Sequence, residues 1–600
     1  MRVIILLMVI SNVVFAQKNE QQLAYQYFIN GEYDKSVAIY EELIEKKFSV
    51  AYHIPYYTSL LKIKDYKKAE NLALKVSKIY PTTISYQLEI GIAQEKAGFT
   101  KKAERTFNKI FLKFNGNKSK AINMANTFIR YEMFQEALEV YFLAEQLNSN
   151  SSFSKQKAQL FSYLGNPEMM LIEYLNALKK DPTQKTFVLS QIQKFLNNDG
   201  IKSDKNYQLV KKVVLPHVRD EKDRTDFTEI LIWLFMQNNQ FKMALRQAIS
   251  IDKRNNSYGE KVYDLGSTFL DKEEYLLAVE AFDYIIKKGD RMPFFIDANI
   301  NKLYSQTKLL MIDNKDLDEI DDAYKSTINI LGINRMTVTL LLNYAHFKAF
   351  YLHDLLAAQD ILTDAMNIPQ VSSIDLAECK LEYADIQLLL GNIWESLLYY
   401  SQVEKQFKEN PIGHEAKLRR AKIAYYQGDF NWAQAQLEVL KASTSKLIAN
   451  DAMQLSLLIT DNYNLDTSDI AMQYFSKADL LFYQQRYNEA IITYDSILFL
   501  FPAHSLSDEV YMRKAKIYTK MNHFDSVLTM YEKILVDWQN DILADDALYN
   551  LAKIYDDKLN NIEKAQELYE RLILDYSSSI FAEESRKRYR LIRDRNLNIQ

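Results

Sequence analysis

GEYDKSVAIYEEL, Gly31 to Leu43, decides the fold because it recurs. It returns as KDYKKAENLALKV at Lys64, GFTKKAERTFNKI at Gly98 and YEMFQEALEVYFLA at Tyr131, then far downstream as RYNEAIITYDSIL at Arg486 and NIEKAQELYERLI at Asn561. The shared pattern is a small residue, an aromatic or small residue four later, and an apolar residue three after that. The small residue stands at Ser36, Ala69, Ala103 and Ala137, and at Met170 where the pattern loosens, so the steps are nearly equal. It reappears at Ala244, Ala278, Ala358, Ser396, Ala433, Ala490, Val527 and Ala565, which makes thirteen copies. A fixed period of this length marks stacked units that bury a continuous core only together.

Upstream of these anchors lies a second small residue followed by a bulkier one: Ala24 and Tyr27, Gly91 and Gln94, Ala125 and Phe128, Ala158 and Phe161, Gly266 and Phe269, Ala515 and Tyr518, Ala552 and Tyr555. Two helices that cross closely admit only Ala, Gly or Ser at the contact, with bulky side chains filling the space beside it. Pro81, Pro182 and Pro502 stop second helices. With 13 Gly and 9 Pro in 600 residues, the chain is too poor in turn residues for anything but helix. The pattern resembles the tetratricopeptide repeat, although the usual Trp-Leu-Gly opening of the first helix is mostly absent. The expected fold is all-α, a right-handed α-solenoid of tetratricopeptide-type hairpins, about fifteen helix pairs plus one extra helix.

The breaks place the boundaries. The steps from Met170 to Ala244 and from Ala278 to Ala358 are each more than twice the period, so each gap should hold a degenerate pair. The step from Ala433 to Ala490 is a repeat plus a single surplus helix, opening in ANDAMQLSLLI at Ala449. The expected order is a signal peptide over 1–16, an N-terminal array over 17–182, a degenerate pair over 183–226 and a central array over 227–442 with a degenerate unit near 290–331. An extra helix and loop over 443–470, a C-terminal array over 471–576 and a basic capping helix and tail over 577–600 follow. Asp451, Glu509, Asp546 and Glu415 read as helix starters, since negative charge favours a helix N-terminus. The surplus helix must bury Ala452, Leu455 and Ile459 on a neighbour or on a partner. Ala103→Leu is expected to overpack one crossing.

MRVIILLMVISNVVFA, with Arg2 ahead of an apolar run and Val14-Phe15-Ala16 as a cleavage pattern, reads as a secretory signal ending before Gln17. The run is too short for a membrane span. Cys379 lies far from it and cannot carry a lipid anchor there. A formal charge of -4 offers no field for nucleic acid or anionic lipid.

Chemistry is sparse. Seven histidines are scattered, and only His346 and His353 share an expected helix, at a spacing unsuited to a shared metal. DNKDLDEIDD at Asp313 lacks the central glycine of a calcium loop. Cys379 has no positioned base, and no phosphate loop or nucleophile elbow is present. A lytic transglycosylase would need a globular C-terminal domain around a Glu-Ser pair. Glu584-Ser585 is followed by too little chain for one. No catalytic residue, metal or cofactor is expected, and the chain reads as non-catalytic.

WAQAQLEVLKASTSKLIANDAMQLSLLI, LIWLFMQNNQFKMALRQAISIDKR and the ending LADDALYNLAKIYDDKL with YERLILDY and RKRYR resemble a family of exported tetratricopeptide proteins of Bacteroidetes. The repeats from Ala471 also resemble helical outer-membrane assembly lipoproteins and the periplasmic partner of the Tol-Pal system, without the lipid-bearing cysteine of the former. The resemblance implies a periplasmic location, peripheral contact with the outer membrane, and a scaffold for a protein or peptide partner in a cell-envelope assembly; the alternative is a binder of glycan or peptidoglycan. A carboxylate clamp is not visible; Lys155 and Gln159 come nearest. In such repeats first helices line the concave face. The partner-binding candidates are therefore Tyr25, Phe28, Asn126, Arg130, Lys422, Tyr425, Tyr426, Phe482 and Tyr483, with Ala452, Leu455 and Ile459 at the surplus helix.

Overall fold

The computed structural model describes residues 20–46, 49–197, 204–221, 224–313, 317–442, 445–463, 469–502 and 504–597. The expected signal segment and most of the loop before Asp469 lie outside them. Among the described residues the chain is helical without strands, and it divides into two compact units, residues 1–257 and 258–600. The division falls inside the stretch 227–442.

The first unit is a run of antiparallel hairpins, from 20–29 with Tyr33–Lys46 to Thr225–Gln237 with Phe241–Asn255, seven pairs among the described residues. The pairing follows from the small-residue anchors, which are interior: Ala69, Ala103 and Ala137 are fully buried. Ser36 keeps the same role by donating its hydroxyl to the Ala24 carbonyl at 3.0 Å, which joins the two small positions of one crossing. Gly91 makes room for the paired helix, because a Cβ there would press on the Phe107 ring, which would have to shift. The gap after Met170 holds Lys185–Asn197 and Asp204–Asp220.

The second unit opens with the pair Glu260–Asp271 and Tyr275–Ile286, then Phe295–Asp313 with Leu317–Leu331, then Val338–Phe350 with Leu355–Met366. The helices that follow form the site and are labelled in order. They are α1 (Ser373–Leu389) with α2 (Ile393–Gln406), α3 (Pro411–Tyr426) with α4 (Phe430–Leu440), the surplus α5 (Lys446–Tyr463), α6 (Ile470–Tyr483) with α7 (Tyr487–Leu500), α8 (Ser507–Lys520) with α9 (Phe524–Asp537), α10 (Ala544–Lys553) with α11 (Ile562–Asp575), and α12 (Ala582–Leu597). The last turn of α10 widens into a π-helical turn, Ile554–Lys558. The basic helix α12 packs Ala582 and Ile592 into the core of α10 and α11. No described helix is long and apolar enough to cross a membrane.

The surplus helix is longer than its sequence suggests, 18 residues beginning three ahead of Ala449. Asp451 therefore stands in its second turn and is not a helix starter, and Glu415, in the second turn of α3, pairs with Arg419 at 2.9 Å. Ala452 and Ile459 are fully buried in a core shared with Phe430 and Leu437 of α4 and Phe475 of α6. A helix with one apolar stripe hides that stripe first. Ala452 and Ile459 are thus interior packing and not a surface for a partner.

Candidate functional site

The first helices of the second unit are held side by side by a polar node that repeats. Asp385 of α1 accepts a hydrogen bond from Tyr400 of α2, another from Arg419 of α3 at 2.5 Å, and one from Tyr483 of α6 at 3.1 Å. Asp479 of α6 accepts from Tyr494 of α7, from Arg513 of α8 at 2.9 Å and from Tyr425 of α3 at 2.8 Å. Asp556 accepts from Tyr569 of α11 at 3.3 Å and from Arg588 of α12 at 3.1 Å. The sequence offsets from aspartate to tyrosine and to arginine are the same in the first two nodes, and both are two shorter in the third. Buried carboxylates are tolerated where donors meet them. Asp479 raises the Arg513 guanidinium above its ordinary value. Burial, with Asp479 adding to it, pushes the Tyr425 hydroxyl well above the usual phenol range.

Tyr425 and Tyr483 bond across the place where α5 is inserted, so α3 and α6 meet directly while α5 stands to one side. Between α5 and the first helices α3, α6, α8 and α10 lies a groove of about 900 Å³. Its floor carries Lys422, Tyr426, Phe482, Tyr483, Arg513 and Lys516, and its wall carries Asp451, Gln454, Leu455, Leu458 and Asp461 of α5. The volume is near the top of the range for ligand sites.

Six of the residues expected from sequence meet in this groove: Lys422, Tyr425, Tyr426, Leu455, Phe482 and Tyr483. Tyr425 is 1% exposed and spends its hydroxyl on Asp479, so it holds the floor together and is not a free contact. The Tyr426 and Tyr483 rings lie tilted to each other, centres 6.3 Å apart, and the Phe482 ring lies 6.1 Å from that of Tyr487. The other four candidates are in the first unit. Tyr25 is exposed with its ring 6.0 Å from that of Phe28. Asn126 and Arg130 are exposed on Lys118–Arg130, and the Arg130 guanidinium lies 5.9 Å from the Tyr131 ring. Lys155 sits on the Phe187 ring at 4.5 Å, and Gln159 bonds Tyr163.

Charge in the groove is unevenly matched. Lys422, Lys516 and Lys520 form no ion pair within 4.0 Å among the described residues, and neither do Asp451, Asp461 and Asp546. Burial, then the neighbouring Arg513, lowers the Lys516 ammonium from its ordinary value. Burial, then Asp545, raises the Asp546 carboxyl. Glu509 is pushed well above the carboxylate range by burial and by Asp508 beside it, and Asn462 of α5 reaches it at 3.3 Å. Among the described residues no cluster of three His, Cys, Asp or Glu could hold a metal. Cys379 is fully buried, its thiol pushed up to about 12 by burial. Ser585 is buried, and Glu584 lies against Arg588 and Lys587.

The nodes went unread in the sequence although their signal is present. In Ala384-Asp385 and Ala478-Asp479 the aspartate directly follows the small residue of the first helix, and each is answered by a tyrosine and an arginine at equal offsets. One repeat further along, the same register carries Lys422 after Asp385 and Lys516 after Asp479.

Residues 546–579, from α10 through α11, match the family model described as the tetratricopeptide repeat. The chain carries this repeat. Over 374 residues it is 23% identical to a TPR repeat-containing protein of Methanocaldococcus jannaschii, covering 57% of this chain and 62% of that relative, so it spans less than two thirds of the relative's length. Similar solved structures include yeast Tom70, at 15% identity and a TM-score of 0.28 over 93% of this chain and 97% of that one. The Cut9–Hcn1 hetero-tetramer of the APC/C gives 13% and 0.26 over 91% and 98%. A tetratricopeptide repeat protein from Parabacteroides merdae gives 13% and 0.26 over 48% and 97%.

Proposed function

We propose that this protein is a non-catalytic, exported scaffold of the periplasm that holds a protein partner of a cell-envelope assembly in the groove of its second unit. Tetratricopeptide arrays generally mediate contacts between proteins. The observation that carries the reading is the convergence of Lys422, Tyr426, Leu455, Phe482 and Tyr483 on one groove with a rigid floor. Aromatic anchors in a preformed hollow dominate interface energetics, and lysines without partners favour a charged polypeptide over a neutral glycan. The test is photo-crosslinking in intact cells from Tyr426 and from Leu457, which is 44% exposed on α5. One defined envelope protein captured from both positions supports the scaffold. Retention on isolated cell-wall glycan with no protein captured refutes it and favours the glycan binder.

A further inference from the structure

The charge pattern of the floor, taken together with the groove assigned above, names the chemistry of the segment it takes. Along the first helices one register reads Asp385, Lys422, Asp479, Lys516. Both aspartates are consumed, Asp385 by Arg419 and Asp479 by Arg513. Neither lysine is in an ion pair within 4.0 Å among the described residues, although Asp546 of α10 lies near enough to Lys516 to favour its charged form. The floor between α3 and α8 therefore presents two lysines outside any close ion pair, with the aromatic patch of Tyr426, Phe482 and Tyr483 between them. The wall has the opposite sign, with Asp451 and Asp461 on α5 also unpaired.

We propose that the groove takes an extended segment of a protein partner that carries two acidic side chains about six residues apart, both turned to the floor. The spacing follows from the helices. Tyr425 and Arg513 reach the same carboxylate, Asp479, from α3 and from α8. Lys422 lies three residues before Tyr425 and Lys516 three after Arg513. Two interhelix steps of roughly 8–10 Å, with one helical turn of offset on each side, put the lysines ~20 Å apart. An extended chain covers that in about six residues at ~3.3–3.6 Å each. An even separation puts both acids on one face of the strand, and the alternate side chains then face the wall. There Asp451 and Asp461 repel carboxylates and accept neutral or basic ones, so the groove reads both spacing and side.

The test uses the full mature chain and three labelled eleven-residue synthetic peptides on one serine-leucine background, followed by fluorescence anisotropy. One carries Glu at positions i and i+6, one Glu at i and i+5, and one Lys at i and i+6. The expected result is that the first binds at least about tenfold more tightly than the others and weakens with salt. Lys422→Ser and Lys516→Ser should each cost several-fold in that affinity, with thermal midpoints little changed because neither lysine is in an ion pair within 4.0 Å. Equal binding by the three peptides, binding by none, or lysine variants that bind the first peptide as before would overturn the proposal. If crosslinks from Tyr426 still capture a defined envelope protein in that case, the scaffold reading stands and only the charge rule falls.

Discussion

Asp479→Ala is the sharpest test of how the groove floor is built. The side chain accepts from Tyr425, Tyr494 and Arg513, and the two tyrosines are 1% and 0% exposed. Truncation removes one partner of a buried ion pair, which costs about 3–5 kcal/mol. Two orphaned hydroxyls would add about 1–3 kcal/mol each if water could not reach them. Because the groove lies beside them, water relieves part of this, and the net expectation is on the order of 4 kcal/mol. For a unit of this size that lowers the thermal midpoint by roughly 6 °C. Calorimetry on the full chain measures it, and hydrogen exchange should show the loss concentrated in α3, α6 and α8, since repeats couple mainly to neighbours. Asp479→Ala with Arg513→Met should recover part of the loss, because no uncompensated charge remains. A single variant that melts within about two degrees of the parent, or a double variant no better than the single, would refute the node as the tie between first helices.

Other expectations are independent of it. Glu509 has a folded pKa raised above its unfolded value, so the native state holds its proton longer than the unfolded chain does and stability falls as pH rises from about 4.3 upward. Glu509→Gln should flatten that decline and be more stable than the parent at pH 8 in equilibrium unfolding; an unchanged pH profile would contradict the assignment. Gly413→Ala would set its Cβ on the Phe407 carbonyl, a backbone clash no rotamer relieves, and should cost about 3 kcal/mol or more in urea unfolding. Gly91→Ala meets only the Phe107 ring and should cost less, about 1–3 kcal/mol. Ala103→Leu, at a fully buried crossing, should cost about 1–3 kcal/mol, and an unchanged midpoint would place the crossing elsewhere.

The hairpins were legible because period and volume are written in single residues: Ala69, Ala103 and Ala137 can occupy those positions only where two helices touch. The surplus helix was legible as an excess of length between Ala433 and Ala490, but not as an orientation. Ala452 and Ile459 look like any apolar stripe, and only packing shows that α4 and α6 already cover it, while Leu455 follows it inward in part and Leu457 stays exposed. Tyr425 misled for the same reason, since adjacent Tyr425 and Tyr426 differ in burial by which side of α3 they leave. The nodes were hidden differently. In the first two nodes the partners are spread over three helices in three repeats, a pattern seen only when repeats are aligned for charge as well as for size.

The direct bond from Tyr425 to Asp479 means that α5 interrupts the chain without interrupting the stack. The groove is therefore a vise with one fixed jaw and one attached to it. The fixed jaw is set by stacking and must be kept for the unit to fold, whereas the other is anchored through one buried face, Ile448, Ala452, Ser456, Ile459 and Asn462. Its outward residues are free to change at little cost to folding, so selectivity for what is gripped can be retuned on one helix while the grip itself stays the same.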